Sequence, residues 1–339
     1  LSGGKNVVST SSGTSALHLS LKALGIGHND LVITPAYSFI ASANAISMAG
    51  ASPWFFDIDN LSWTLDCNLL EKELNKKTFW KEKNLYHKQT GQKVKGIMPV
   101  NTLGIPCDLD SIYYLSEKYN LRVIIDGAAS LGAKYKSFNI AEKVQSLITF
   151  SFNGNKTITS GGGGAVVGND KTLMEKLREM SGTGKKYNST YTHDVIGFNH
   201  RMTNVEAAIG CAQLARTKEF VYRKNEILKN YNNALKSIEG VTFIPEPNWG
   251  ESSSWMSGII LDKKLIPDIK NFLNYLFKNK IDAKMFWKPL CEQKPYINDL
   301  KTNISVTKKV SESFIALPCS TSLSHDEQSF IIEKIKEFF

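Results

Sequence analysis

Over the first half of the chain, short apolar runs rich in β-branched and aromatic residues alternate with stretches whose apolar positions recur every three or four residues. The runs predict strands at Leu31–Thr34, Trp54–Asp57, Ile97–Val100, Val123–Asp126, Leu147–Ser151 and Ala165–Val167. The helical spacing predicts Ser15–Leu24, with Leu17, Leu21 and Leu24 on one face, and Leu109–Lys118. Strand and helix in alternation imply an α/β fold with a mostly parallel sheet covered on both faces. Active sites of such sheets collect at the C-terminal ends of the strands. Phe79–Lys95 interrupts the rhythm with a polar, Lys-rich insertion, a surface loop or hairpin turning at Thr90-Gly91. After Gly197 the texture changes: Thr203 or Asn204 caps one long helical pattern through Ala207, Leu214, Val221 and Leu228. An αβ tail follows, with strand Met256–Leu261, helix Pro267–Asn279 and a last helix from Asp326. The expected division is a large domain over 1–225 and a smaller C-terminal αβ domain over 226–339.

Composition narrows this little. At 42% hydrophobic and 22% charged, the 339-residue chain reads as an ordinary globular protein. No apolar stretch has the length of a membrane span. The start, Leu1-Ser2-Gly3-Gly4-Lys5-Asn6, has neither a secretory signal nor an initiator Met, so the natural N-terminus is expected to lie upstream. The five cysteines (Cys67, Cys107, Cys211, Cys291 and Cys319) are scattered and form no CxxC pair. That argues against a disulfide framework or a zinc site and fits a reducing cytoplasm, and no metal is expected. The net charge of +9 reads either as Lys-rich solvated surface or as a preference for anionic small molecules. No basic stripe with interleaved aromatics suggests nucleic acid.

Three motifs carry chemistry. Ser151-Phe152-Asn153-Gly154-Asn155-Lys156 ends a strand, and the glycine run Gly161–Gly164 follows. Alone, Lys156 is a surface lysine like any other, and four glycines either cradle a phosphate or let backbones approach closely. A dinucleotide fingerprint would open a helix, and here a strand follows instead. In Val123-Ile124-Ile125-Asp126-Gly127-Ala128, a carboxylate ends a buried apolar strand. It either caps a helix or pairs with a cation, and a protonated pyridine nitrogen is one such cation. In Ser9-Thr10-Ser11-Ser12-Gly13-Thr14-Ser15, a hydroxyl-rich turn opens an amphipathic helix. This is either a well-capped helix or a phosphate site built from free N–H groups and hydroxyls.

Together the motifs suggest one ligand with a phosphate, a basic ring nitrogen and an aldehyde: pyridoxal 5′-phosphate. Their order, with Gly197-Phe198-Asn199-His200-Arg201-Met202-Thr203-Asn204 and Leu317-Pro318, resembles the DegT/StrS-type sugar aminotransferases of fold type I over essentially the whole chain. Within that family, Asn153-Gly154-Asn155-Lys156, the insertion ending Thr90-Gly91-Gln92-Lys93, and Met285-Phe286-Trp287-Lys288-Pro289-Leu290 look similar to the bacillosamine and legionaminic-acid 4-aminotransferase branch.

The resemblance implies that Lys156 forms the Schiff base and carries the proton between substrate carbon and cofactor, while Asp126 pairs with the ring nitrogen. It implies that Thr14, Ser15 and Ser151 hold the phosphate and that Phe39 stacks on the ring, with Tyr37 the alternative. It places Asn199 and Arg201 in the partner subunit's site of a homodimer, and Trp287 and Lys288 in the sugar pocket. The implied reaction moves an amino group, from glutamate as donor, to a nucleotide-linked 4-keto-6-deoxy sugar for surface polysaccharide or glycan synthesis. Two departures stand out. Relatives carry His, Gln or Glu where this chain has Ala129, and often a His near Leu290 or Cys291, where it has none. The alternatives are a sugar dehydratase of the same fold, against which Lys156 argues because those enzymes carry His there, and a non-catalytic, cofactor-binding regulatory relative.

Overall fold

The computed structural model describes residues 2–186 and 191–339. The first half builds a mixed sheet from β1 (Asn6–Thr10), β2 (Asp30–Pro35), β3 (Ser52–Phe56), β4 (Thr78–Lys81), β5 (Asn84–His87), β6 (Lys93–Ile97) and β7 (Arg122–Asp126). After the two-residue strands β8 (Lys134–Tyr135) and β9 (Phe138–Asn139) come β10 (Leu147–Ser151) and β11 (Gly164–Gly168). The main order is β1-β11-β10-β7-β6-β2-β3, continued by β16 (Leu300–Lys301) from the far end of the chain. From β10 to β16 every neighbouring pair is parallel, whereas β1 and β11 are antiparallel at the edge.

Helices cover both faces, as strand alternation demands. Leu31, Ile33, Val123 and Ile125 point to one face, packing with Leu70 and Leu74 of α3 (Cys67–Lys77) and Ile112 and Leu115 of α4 (Leu109–Lys118). Their neighbours Val32 and Ile124 point to the other, against Leu17 and Leu21 of α1 (Gly13–Ala23) and Ala45 and Ile46 of α2 (Ala41–Met48). Strands buried on both sides carry near-continuous apolar runs, which is why those segments read so clearly. Further on, α5 (Lys171–Ser181) packs beside α1.

The C-terminal part has its own core. The antiparallel sheet β12 (Val241–Phe243), β14 (Ser257–Leu261), β17 (Phe314–Leu317), β15 (Lys284–Met285) packs through Ile259, Leu261, Ile315 and Leu317. Against it lie Ile227, Tyr231 and Leu235 of α7 (Thr217–Leu235), Phe272 and Leu276 of α8 (Ile269–Lys278), and Ile331 and Ile335 of α10 (His325–Phe338). A short β13 (Gly250–Glu251) pairs with β8.

Two expectations are corrected, and the hairpin reading of the Phe79–Lys95 insertion holds. The predicted strand Ile97–Val100 ends at Ile97; Met98 and Val100 continue only as single contacts, through Met98 N–H to the Ile33 carbonyl and a bridge to Asp126. The Phe79–Lys95 insertion is the β4–β5 hairpin joined to β6, and Gly91 takes φ +69° in the turn that returns to His87. The single long helix from Thr203 is two, α6 (Asn204–Ala215) and α7, separated at Arg216. There the Thr217 hydroxyl takes the Leu214 carbonyl at 2.9 Å, and the Arg216 N–H turns to the Gln213 carbonyl. Among the described residues no helix is long and apolar enough to cross a membrane, and all five cysteines are free thiols.

Asp57, just past β3, fastens the C-terminal part to the large sheet. Its buried carboxylate accepts the N–H groups of Val306 (2.9 Å) and Thr307 (2.8 Å) at the start of α9 (Ser305–Ser311), whose own N-cap is Ile304 and offers no side-chain acceptor. Asp57→Ala leaves those donors unpaired and is expected to cost about 1.5–3 kcal/mol. A lowered urea midpoint at unchanged slope checks this, and an unchanged midpoint refutes it.

Candidate active site

Strands β10, β7, β6 and β2 end at one rim of the sheet, and a cavity of about 700 Å³ opens there. Its wall includes Gly13 and Thr14 at the start of α1, Ser151 at the end of β10, and Asp126 at the end of β7. Phe39, Asn101, Ala129 and Lys156 complete this side. Residues from the C-terminal part, Trp255, Lys284 and Trp287 among them, close the other side.

At one end stands the α1 N-terminus. Ser12 caps it, accepting the Ser15 N–H at 3.0 Å, and Gly13 comes so close to β10 that an added Cβ would stand 2.8 Å from the Ser151 Cβ. Glycine is therefore required to bring the Gly13 and Thr14 amides against the Ser151 hydroxyl. Among the described residues the Thr14 hydroxyl has no hydrogen-bond partner within the chain. Gly162 and Gly163 line the same end, and Gly163 takes φ +88° with Ser160 and Met202 where a side chain would go. Free amides, an uncommitted hydroxyl and a helix N-terminus make a phosphate cradle.

Asp126 is buried, 4% exposed. It accepts the Ser42 hydroxyl at 2.7 Å and the Ala128 N–H at 3.1 Å, and Ser38 supports Ser42 at 2.8 Å. Burial pushes its carboxyl above the usual carboxylate range; the Ser42 and Ala128 hydrogen bonds and the charge of Lys156 pull the other way without prevailing. Lys156 follows β10 in a turn closed by its own N–H to the Asn153 carbonyl at 3.0 Å. The residue as a whole is half-exposed to the cavity, yet its amine is enclosed by protein. That burial lowers its pKa from 10.5 to about 8, partly offset by Asp126.

The cavity thus gathers most of the residues singled out in the sequence: Thr14, Phe39, Asp126, Ser151, Lys156 and Trp287. Of the two aromatic candidates, Phe39 lines it, 56% exposed, while Tyr37 is buried and packs against Trp63 and Trp287. The Ser15 hydroxyl is engaged with Ser11 and Ser12 and does not line the cavity. Lys288 is exposed outside the wall, and Lys284 lines it instead. Asn199 and Arg201 are exposed and away from this chain's own cavity. Their segment is tied to β1's end through Ser11 N–H to the His200 carbonyl at 2.8 Å. Sequence reasoning missed Ser42, Trp255 and Lys284. Only Ser42 left a signal, standing four residues after Ser38 where a helix begins. At Ala129, whose carbonyl accepts the Ser253 hydroxyl, neighbouring Asn101 is committed to Ser130 and Cys107.

A donor set of helix amides and hydroxyls, a buried carboxylate, and a buried amine suits a ligand with a phosphate, a basic nitrogen and a carbonyl. A profile of the DegT/DnrJ/EryC1/StrS aminotransferase family matches residues 1–336. The chain is 37% identical to the GDP-perosamine synthase of Escherichia coli O157:H7, over 97% of this chain and 84% of that protein. It is 34% identical to the putative pyridoxal phosphate-dependent aminotransferase EpsN of Bacillus subtilis, over 99% and 84%. The crystal structure of a DegT DnrJ EryC1 StrS aminotransferase from Brucella abortus superposes with a TM-score of 0.88 at 26% identity, covering 99% of this chain and 86% of that one. The chain belongs to the DegT/DnrJ/EryC1/StrS aminotransferase family.

Proposed function

We propose that this aminotransferase moves an amino group from glutamate to a nucleotide-linked 4-keto-6-deoxy sugar, with Lys156 and Asp126 as its catalytic residues. The observation that carries this is the convergence of Lys156, Asp126 and the α1 N-terminus on one cavity. The family's cofactor, pyridoxal 5′-phosphate, supplies an electron sink that makes the C–H bond beside the amino group acidic. Thr14, Ser151 and the Gly13–Thr14 amides hold its phosphate. Asp126 holds the ring nitrogen in its protonated form, and Phe39 covers a ring face. Lys156 would hold the cofactor covalently through Nζ, an amine that burial keeps neutral more often than an ordinary lysine near pH 8. When not so linked, the same Nζ would be the group placed to carry a proton from one carbon to another.

Donor and acceptor use the site in turn. A relative named for a GDP-linked product supports a nucleotide-linked acceptor. Trp287 and Lys284 stand on the wall where a sugar would lie. A second copy of the chain is favoured by α6, an apolar helix with only Gly210 buried, on which Val205 is 73% and Ile209 45% exposed. Asn199 and Arg201 lie just before it and would complete the partner's site.

Loaded with cofactor, the protein should absorb at the violet edge of the visible range, and glutamate should bleach that band. Lys156→Ala should lose turnover and the borohydride-fixed cofactor mass on residue 156; retained turnover sinks the assignment.

The depressed Lys156 pKa has a sign that can be checked. Below about 8 the amine is mostly protonated and cannot attack a carbonyl. Cofactor capture by the apoprotein should therefore speed up as pH rises to about 8 and then level off. An ordinary lysine would keep gaining roughly tenfold per unit towards its pKa near 10.4, so a rise continuing past pH 9 would contradict the burial argument.

The shared site predicts complementation. Mixed one to one, inactive Lys156→Ala and Arg201→Ala proteins should recover about a quarter of the parent activity, because half the dimers are mixed and each holds one intact site. Sites built within single chains would recover none.

A further inference from the structure

The amine of Lys156 does not hang free in the cavity. Its Nζ lies over the Trp255 ring, 3.7 Å from the centroid. Trp255 is 2% exposed and fastened at both ends. Its indole N–H donates to the carbonyl of Asn155, the residue entering Lys156, at 2.6 Å. Its own carbonyl accepts from the buried Lys224 amine of α7 at 3.0 Å, and that amine also reaches the Cys319 sulfur at 3.8 Å. The ring also packs with Phe286 and Trp287, centroids 5.9 and 6.2 Å away. Trp255 is thus an immobile plate, held by the C-terminal part and pressed against the turn that presents Lys156.

We propose that Trp255 is the positioning residue of Lys156: its indole N–H fixes the backbone entering the lysine, and its ring face receives the ammonium whenever Nζ carries a proton. The inference rests on Lys156 being the reacting amine. Two demands on that amine conflict. It must be neutral to attack a carbonyl and must be charged after taking a proton from carbon. Burial alone favours only the neutral form. A carboxylate in contact would favour the charged form but hold the amine by a directed hydrogen bond. An indole face attracts the ammonium more strongly than other aromatic faces do and offers no acceptor atom to hold it in one direction. The amine therefore gains a place to rest as a cation while remaining free to swing between two carbons.

The role of the indole N–H follows from the turn it pins. Asn153, Gly154 and Asn155 are all exposed, and Gly154 has open space on every side of a would-be Cβ. Without the bond to the Asn155 carbonyl, little besides the Lys156 N–H to Asn153 fixes where the lysine leaves the chain.

Two variants separate these parts. Trp255→Phe keeps an aromatic face and removes the N–H; Trp255→Leu removes both. Two readouts are taken: the pH profile of cofactor capture by the apoprotein, and the single-turnover rate at which glutamate bleaches the loaded enzyme. Trp255→Leu should move the capture midpoint down by about half a unit or more, since the charged amine loses its support. It should also slow bleaching by roughly tenfold or more. Trp255→Phe should leave the midpoint close to the parent's while slowing bleaching severalfold. If the Leu variant does not fold, an unchanged bleaching rate in Trp255→Phe is enough to overturn the pinning role. An unmoved midpoint in a folded Trp255→Leu protein overturns the role of the ring face. Lys156→Ala tests the underlying assignment separately: turnover retained there defeats the reading of Lys156, whatever the Trp255 variants do.

Discussion

Asp126 is a carboxylate with 4% of its surface exposed, set at the end of an apolar strand, and the site depends on what that costs. Taking a carboxylate out of water costs several kcal/mol even after the protein relaxes. The hydrogen bonds from Ser42 and the Ala128 N–H return about 1.5–3 kcal/mol each at best. The carboxyl still stands above its usual range, so the chain alone does not balance the burial. Lys156 is buried nearby with the opposite imbalance, its amine brought down to about 8. Each group is held in a state in which a complementary charge or a reactive carbonyl is worth more than it would be in water. In the proposed function a protonated ring nitrogen beside Asp126 and a carbonyl beside Lys156 would relieve both at once.

The rest of the fold supplies the geometry for that balance. Parallel strands end together, so Asp126 and Ser151 arrive at one rim from strands paired in register, with Ile125 opposite Ile148 and Asp126 opposite Thr149. Gly13 lets α1 start against β10, which brings helix amides to the same rim. The C-terminal core contributes through Trp255 and Trp287, and it is fastened to the large sheet by β16 on β3 and by Asp57 on α9. The two sides of the cavity therefore come from two parts of the chain joined at several points.

Much of this was legible because burial on two faces writes itself into sequence. β2, β7 and β10 are continuous apolar runs, and each of the three chemical motifs sits where a strand ends or a helix begins. What was not legible depends on distance in space. The split of α6 from α7 at Arg216 falls in a stretch whose apolar spacing continues unbroken. Trp255 lies 99 residues after Lys156, the difference of their numbers, and nothing in its neighbours marks it as the plate beneath that amine. Lys284 lines the cavity and Lys288 does not, a difference that sequence cannot show because an irregular segment has no period to mark which turn faces inwards. The left-handed backbone at Trp287 (φ +41°) is the kind of local reversal that redirects such a segment.

The charges lining the cavity give a reason to look beyond one chain. Among the described residues the wall holds two carboxylates, Asp126 and Asp282, and two amines, Lys156 and Lys284. Lys156 is taken by the proposed linkage to the cofactor, and Lys284 is paired with Asp282 at 3.1 Å. The helix N-terminus can serve one phosphate, which the proposed function gives to the cofactor. A nucleotide-linked acceptor brings two more, and a dicarboxylate donor brings two carboxylates, so neither meets an uncommitted cation on this wall. The chain's net charge of +9 is therefore spent elsewhere on its surface. The exposed Arg201, held next to the apolar α6 and away from its own cavity, is a cation available to a neighbour. In the proposed dimer the apolar face of α6 would supply the adhesion and Arg201 the charge that this wall lacks.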